Sequence, residues 1–338
     1  MPHHVAGESP IPIVLDTDLG TDVDDLLALI VAATDARLDL RAVTTVNGDT
    51  VLRARIARAV LDMLGRTDVP VGAGARVGLS GQPHETMPNS FGHEGRGVPL
   101  PPVTEIPPAT EVLADVLGAA GQPVTLCAVG ALTNVAQLLM GRPDLLDHVA
   151  GVHLLGGCLA PIRWGRVLLA DADFAEYNVS CDPLALFALL AMPVPMRIAP
   201  IDVTASLRPT SADRRAIADA SWFGRFVDEQ IAIWLEVLQE RLAASGRRRA
   251  ELYLHDPLVV AALADPALIT CEMLRVAARG TAGKVSTIIS ADGRVVEAVR
   301  QVDTDGLRKA VVRGVCAASL RAGVQDSRTV PAGAVSPS

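Results

Sequence analysis

Ile13-Val14-Leu15-Asp16-Thr17-Asp18-Leu19-Gly20-Thr21-Asp22-Val23-Asp24-Asp25-Leu26-Leu27-Ala28-Leu29 is the stretch that decides the fold of this chain. An apolar run of strand length, 13–16, ends in an acidic turn, and helical periodicity begins near Val23 and lasts to Thr34. The order then repeats: strand 40–46, helix 50–64 and a short strand 69–72. A Gly- and Pro-rich excursion from 74 to 108 reads as a long loop. Beyond it come helix 111–119, strand 124–129, a helix after Leu132, strand 152–155, a helix after Asp182 and strand 194–198. Such alternation predicts an α/β fold, an open and mostly parallel sheet with helices on both faces. Helices dominate 211–264. A β pair around 284–300 turns at Ala291-Asp292-Gly293, and a last helix covers 303–322. No internal repeat or break in composition marks a linker, so 1–322 reads as one domain and 323–338 as a disordered tail.

Of 338 residues, 50% are apolar and 20% charged, which supplies a sizeable core and excludes wholesale disorder. Uncharged stretches such as 183–196 are too short for a bilayer and are interrupted by prolines, and the N-terminus lacks a basic start. The expectation is a cytoplasmic protein with no membrane partner. A net charge of −8 argues against a nucleic-acid partner. So do the short basic runs, such as Arg247-Arg248-Arg249, and the ten aromatic residues. Five cysteines without a C-x-x-C pair fit neither a disulfide framework nor a zinc site.

Asp16, Asp18, Asp22, Asp24 and Asp25 place five carboxylates within ten residues, and the first Lys or Arg of the chain is Arg37. Local roles account for three of them: Asp22 as a helix cap, and Asp24 and Asp25 in a first turn that favours acidic groups. Asp16 and Asp18 have no such role. Crowded carboxylates raise one another's pKa unless a cation sits among them. A set rich in carboxylates suits Ca²⁺ better than Mg²⁺. If the strand ends near Asp16, the group lies at the carboxyl edge of the sheet, where open α/β folds bind ligands.

Asp16-Thr17-Asp18-Leu19-Gly20 followed by Asp24-Asp25-Leu26-Leu27-Ala28-Leu29 resembles the N-terminal signature of the nucleoside hydrolases, the inosine–uridine-preferring type of N-ribohydrolase. Gly130-Ala131-Leu132-Thr133-Asn134 matches next, then Ala175-Glu176-Tyr177-Asn178 with Asp182-Pro183, then His255-Asp256-Pro257-Leu258. Ile201-Asp202-Val203-Thr204 is a weaker match. The resemblance covers 13 to about 265. It implies calcium-dependent hydrolysis of the N-glycosidic bond of a small-molecule ribonucleoside, giving ribose and free base, by a homodimer or homotetramer. It assigns Asp18 as calcium ligand and general base. Asp25, Asp256 and the main-chain carbonyl of Thr133 complete the metal shell, and His255 is the acid for the leaving base. Asp24, Glu176 and Asn178 would bind the ribose, with Asn47 and Asp49 at the usual sugar or water contact.

The chain departs from the family pattern in three places. Thr21, Asp22 and Val23 lengthen the turn, leaving Asp22 as the alternative to Asp24. Gly48-Asp49 stands where Gly-Asn is usual. Ala170 falls at an expected asparagine, so that contact is missing or comes from Asp171 or Asp173. Read locally, His255-Asp256-Pro257 is a helix start with Asp256 as N-cap. Glu176 and Asn178, spaced i, i+2, would point the same way in an extended segment. The loop Phe91-Gly92-His93-Glu94-Gly95 could close over a sugar, although a lone His93 reads as a surface residue. Trp222, Phe226 and Trp234 read as core, with one of them a candidate for the base pocket. Two other functions fit the turn: an Asp-nucleophile phosphohydrolase of the haloacid-dehalogenase type, and a calcium-dependent nucleoside-binding protein whose chemistry Asp49 has spoiled.

Overall fold

A computed structural model describes residues 9–81, 90–102, 105–164, 167–169, 176–244, 250–281 and 284–326. Its strands are β1 (Ile11–Thr17), β2 (Leu38–Thr45), β3 (Val71–Ala73), β4 (Val124–Ala128), β5 (Val149–Leu155), β6 (Ile162–Trp164), β7 (Val167–Leu169), β8 (Met196–Ala199), β9 (Ile269–Thr281), β10 (Lys284–Ile289) and β11 (Arg294–Val302). Its helices are α1 (Asp24–Thr34), α2 (Thr50–Met63), α3 (Ala109–Ala119), α4 (Thr133–Gly141), α5 (Tyr177–Cys181), α6 (Pro183–Ala191), α7 (Ile201–Thr204), α8 (Ser211–Ala220), α9 (Trp222–Ala244), α10 (His255–Ala264) and α11 (Thr304–Asp326).

Ile13, Val14 and Leu15 are sealed on both faces of β1, which is why this strand carries a continuous apolar run rather than an alternating one. The sheet runs in the order β10-β9-β11-β8-β5-β4-β1-β2-β3. From β11 to β3 every pairing is parallel. The chain moves from β1 outward to β3, then returns to the other side of β1 with β4, β5 and β8. Helices α1, α2, α9, α10 and α11 share one apolar cluster, and α3, α4 and α6 share another. The segments leaving β1 and β4 therefore diverge toward opposite faces, and the switch opens a crevice beyond the carboxyl ends of those two strands.

All of α1 is buried, Asp24 and Asp25 included. A helix apolar all round belongs inside a core, and the two carboxylates at its start are carried in with it. The late strands β10 and β11 are each antiparallel to β9, which lies between them and was not foreseen in the sequence. Helix α11 continues to Asp326, past the expected boundary at Ala322, and 327–338 lie outside the described residues. No described helix is long and apolar enough to cross a membrane.

Gly130 marks where the end of β4 meets the acidic turn. A Cβ there would stand 2.8 Å from the Asp18 nitrogen and 2.7 Å from Val46 Cγ1. Gly130→Ala is expected to destabilise the protein by about 1–3 kcal/mol through overpacking. Gly118→Ala, in α3 where a Cβ meets nothing, should stabilise it by roughly 0.5–1 kcal/mol. Urea unfolding of the two variants checks the contrast.

Candidate active site

A cavity of about 310 Å³ opens at the crevice. Asp18, Thr21, Asp22, Asp24 and Asp25 line it from the acidic turn. Val129 follows β4, Leu155 ends β5, Ile201 follows β8, and Glu176, Tyr177 and Asn178 come from the start of α5. His255 and Asp256 enter from the first turn of α10, and Phe91 and Trp234 supply an aromatic wall.

The acidic turn is held by its own side chains and by neighbouring strands. Thr17 Oγ1 donates to Asp25 and accepts from the Leu19 nitrogen. Asp16 has a stitching role, accepting from Thr44 Oγ1 at 2.6 Å and Asn134 Nδ2 at 2.8 Å, so it ties β1 to β2 and α4. Asp24 Oδ2 accepts from the main-chain nitrogens of His255 at 3.1 Å and Asp256 at 3.4 Å. That carboxylate serves the N–H groups of the first turn of α10, which have no partner within their own helix, from a helix more than two hundred residues away. The capping role read for Asp256 thus belongs to Asp24. Asp256 lies in the first turn of α10 and lines the cavity instead. Asp22 is likewise not the cap of α1, whose N-cap position is Val23.

Asp24, Asp25 and Asp256 each present a carboxylate oxygen within 4.8 Å of the others. Burial, and then the charge of neighbouring aspartates, pushes all three well above the usual carboxylate range. Burial also raises Asp18, against which the Arg53 guanidinium and the Asn47 amide pull downward. Buried carboxylates in such a group either keep protons or share a cation. An all-oxygen donor set of this kind suits a hard divalent ion, so the residues fit a metal site.

The other residues expected from the sequence divide into three groups. Asn47, at φ 65°, is outside the lining, but its Nδ2 lies 3.2 Å from the hydroxyl of the cavity-lining Tyr177. Asp49 is remote from the cavity lining: it is exposed, and its carboxylate caps α2 by accepting from Leu52 N at 3.1 Å. Thr133 is also outside, its hydroxyl donating to Asp182 Oδ2 at 2.7 Å. From that segment it is Val129 that reaches the cavity, and its carbonyl accepts from Asn178 Nδ2 at 2.8 Å. A main-chain group has no side-chain signature. The signal that could have found it is its position at a strand end in the crevice.

Glu176 and Asn178 share the cavity, but by helix entry rather than extended spacing. Glu176 is the N-cap of α5, accepting from Asn178 N at 2.9 Å, Val179 N at 3.0 Å and Gly157 N at 3.1 Å. Its burial pushes its pKa up to about 7. Asn178 also donates to Leu155 O at 3.2 Å, tying the ends of β4 and β5 together. His255 Nδ1 lies 2.9 Å from Thr204 Oγ1, and its ring stacks on Tyr253 at 5.1 Å. Burial, then the Arg208 charge, takes its pKa down to about 4. The ring is therefore neutral at pH 7. His93 is buried rather than at the surface, with Nε2 2.9 Å from Thr21 O and its ring stacked on Trp234 at 5.7 Å. Of the three α9 aromatics singled out in the sequence, Trp234 lines the cavity, while Trp222 and Phe226 pack against the core. Ala170, Asp171 and Asp173 lie outside the described residues.

The sequence profile of the family described as inosine-uridine preferring nucleoside hydrolase matches residues 13–309. The chain is 33% identical over 268 residues to the pyrimidine-specific ribonucleoside hydrolase RihA of Enterobacter sp. (strain 638), spanning 77% of this chain and 81% of that one. The RihA of Photobacterium profundum is 31% identical over 269 residues, 76% of this chain and 81% of its own. Among solved structures, a purine-preferring ribonucleoside hydrolase from Gardnerella vaginalis superposes with a TM-score of 0.77 at 24% identity, covering 91% of this chain and 99% of that one. A plant nucleoside hydrolase, PpNRh1, gives 0.76 at 23% identity with the same coverage. At these identities the structural likeness establishes the shared fold.

The raised carboxylates predict an inverted pH dependence of stability. Asp16, Asp22 and Glu176 all rise to about 7, chiefly through burial. Each binds its proton more tightly in the folded than in the unfolded chain. Without a cation, stability should therefore fall as pH rises from about 4 to about 7. In chelator, the melting temperature is expected to drop by roughly 5 °C or more across that window. Added Ca²⁺ should restore most of it at pH 7.5 and little at pH 5. A melting temperature that stays flat or climbs with pH in chelator would contradict the buried-cluster reading.

Proposed function

The chain belongs to the inosine–uridine preferring nucleoside hydrolase family and is an N-ribosyl hydrolase, and we propose that it cleaves the N-glycosidic bond of a ribonucleoside with Ca²⁺ in the acidic cavity, releasing ribose and free base. The observation that carries this reading is the arrival of Asp256, from α10, within 4.8 Å of Asp24 and Asp25 in the cavity that Asp18 also lines. Among the described residues no ion pair includes these side chains, and the Arg53 charge offsets burial in part at Asp18 and Asp25.

In this reading Asp18, Asp25 and Asp256 would hold the ion, with the Val129 carbonyl at the position that the family resemblance gave to Thr133. Bound there, Ca²⁺ would grip the ribose diol and lower the pKa of the attacking water. Asp18 takes the water's proton. The Asn47 amide favours the charged form of that carboxylate. Glu176 and Asn178 bind ribose hydroxyls, with Asp24 or Asp22 beside them, and this places C1′ against the water. As the C1′–N bond opens, positive charge develops on the sugar, and the surrounding carboxylates stabilise it. His255 faces the leaving base as a neutral imidazole. With Thr204 as its Nδ1 partner it can donate a hydrogen bond from Nε2 when the threonine hydroxyl is the donor at Nδ1. Phe91 and Trp234 give the base an apolar wall.

Asp49 caps α2 away from the cavity, so its replacement of the family's asparagine gives no support to a catalytically spoiled binder. The family match likewise disfavours the aspartate-nucleophile phosphohydrolase. A cytoplasmic homodimer or homotetramer belongs to the same reading.

The test is a panel of uridine, cytidine, inosine and adenosine with reducing sugar as readout, with and without chelator. Ribose release that chelator abolishes and Ca²⁺ restores is the expected result; calcium-dependent nucleoside binding without ribose release would overturn it. Asp18→Asn should fold and bind nucleoside but lose roughly 10²–10⁴-fold in kcat. Asp256→Ala should lose Ca²⁺-dependent activity. Thr133→Ala, which removes only the hydroxyl bond to Asp182, should cost about 1 kcal/mol of stability and little kcat.

A further inference from the structure

Arg53, in the first turns of α2, is 2% exposed. A buried guanidinium is costly unless its donors are met, and an apolar side chain of similar volume would fill the space without that cost. Here the donors converge on two turns. Nε donates to Asn47 O at 2.7 Å. Nη1 donates to Asp18 O and, at 3.1 Å, to Leu19 O, while Nη2 donates to Thr21 Oγ1 at 2.9 Å.

Three of these acceptors lie in the acidic turn after β1, and the fourth lies in the turn after β2. The second turn is tight, with Asn47 and Gly48 at φ 65° and 69°. These are the turns that carry the Asp18 carboxylate, which lines the cavity, and the Asn47 amide, whose Nδ2 lies 3.2 Å from the hydroxyl of the cavity-lining Tyr177. One planar fork thus clamps the main chain beneath both side chains. A lysine, a single point donor on a flexible stem, cannot span the two turns in this way.

We propose that Arg53 is a positioning residue: its fork locks the Asp18 main chain against Asn47, so that the Asp18 carboxylate stays aimed into the cavity beside Asp25 and Asp256. The inference rests on the function proposed above for Asp18. Arg53 touches neither substrate nor the reacting atoms and acts through the main chain of the residue that does.

The experiment compares Arg53→Lys and Arg53→Gln with Arg58→Gln. Arg58 lies further along the same helix and bonds to Asp62, Val69 O and Arg66 O, away from the cavity. Two quantities are read on folded protein: Ca²⁺ affinity by calorimetric titration, and kcat and KM at saturating Ca²⁺ on the nucleoside cleaved fastest. Arg53→Lys is expected to weaken Ca²⁺ binding roughly tenfold. It should lower kcat about tenfold or more while KM moves less than about threefold. Arg58→Gln should lose thermal stability but keep wild-type affinity and kcat. Wild-type affinity and kcat in Arg53→Lys would overturn the inference, as would equal losses in Arg58→Gln. If neither Arg53 variant folds, Thr21→Val removes one guanidinium acceptor and keeps the charge; the same split supports the clamp and its absence overturns it. If the wild-type protein releases no ribose, the hydrolase reading falls. The Ca²⁺ titration then decides the Arg53 inference alone, weakened affinity supporting it and unchanged affinity refuting it.

Discussion

The molecule is organised around a concentration of negative charge in a place where water cannot screen it. Asp18, Asp24, Asp25 and Asp256 are each nearly sealed from solvent, and three of them offer oxygens within 4.8 Å of one another. Desolvation and mutual repulsion both act against this arrangement, and each acts more strongly in a low-dielectric interior. The surrounding structure is what makes it tolerable. Thr17 donates to Asp25, the N-terminal N–H groups of α10 serve Asp24, and the Arg53 guanidinium faces the turn from beneath. The remaining imbalance is what suits the site to a cation.

Topology delivers those groups to one point. The sheet reverses its direction of growth at β1, and the turn after β1 and the end of β4 face each other across the resulting crevice. Gly130 allows the closest approach, since any side chain there would collide with the Asp18 nitrogen. Buried α1 then brings the start of α10 alongside, and the Asp24 carboxylate joins the two helix beginnings. The same bond that satisfies a helix terminus thus also sets where Asp256 stands. Stability and function draw on a common set of hydrogen bonds, which is why so few of the site's polar groups serve one purpose only. Asn178 is a further instance: it lines the cavity while its amide ties the ends of β4 and β5.

Much of this was legible in the amino-acid order. The strand, acidic turn and helix of residues 13–34 carried the fold class, because a strand buried on both faces and a helix buried all round leave a pattern with no other economical reading. The acidic turn itself pointed toward a cation, since ordinary local roles left Asp16 and Asp18, among five carboxylates in ten residues, unaccounted for. What went unseen was of another kind. Val129 lines the cavity and its carbonyl ties down Asn178, through a main-chain group that every residue has. Asp49 looked like a site residue and is a helix cap, because one short carboxylate serves both uses equally well. Arg53 was indistinguishable from its neighbours on a helix rich in arginine, until burial set it apart from Arg55 and Arg58.

The sequence by itself determined that a parallel sheet would end in a cluster of acids, because apolar periodicity and local charge density are properties of short stretches. Only the tertiary structure decided which acids share a point, which strand end lines the cavity with them, and which guanidinium stands behind them. Those choices depend on contacts between residues as far apart as Asp24 and His255, which no local pattern encodes. Burial then gives those contacts their energy, and it exists only once the chain has closed around them.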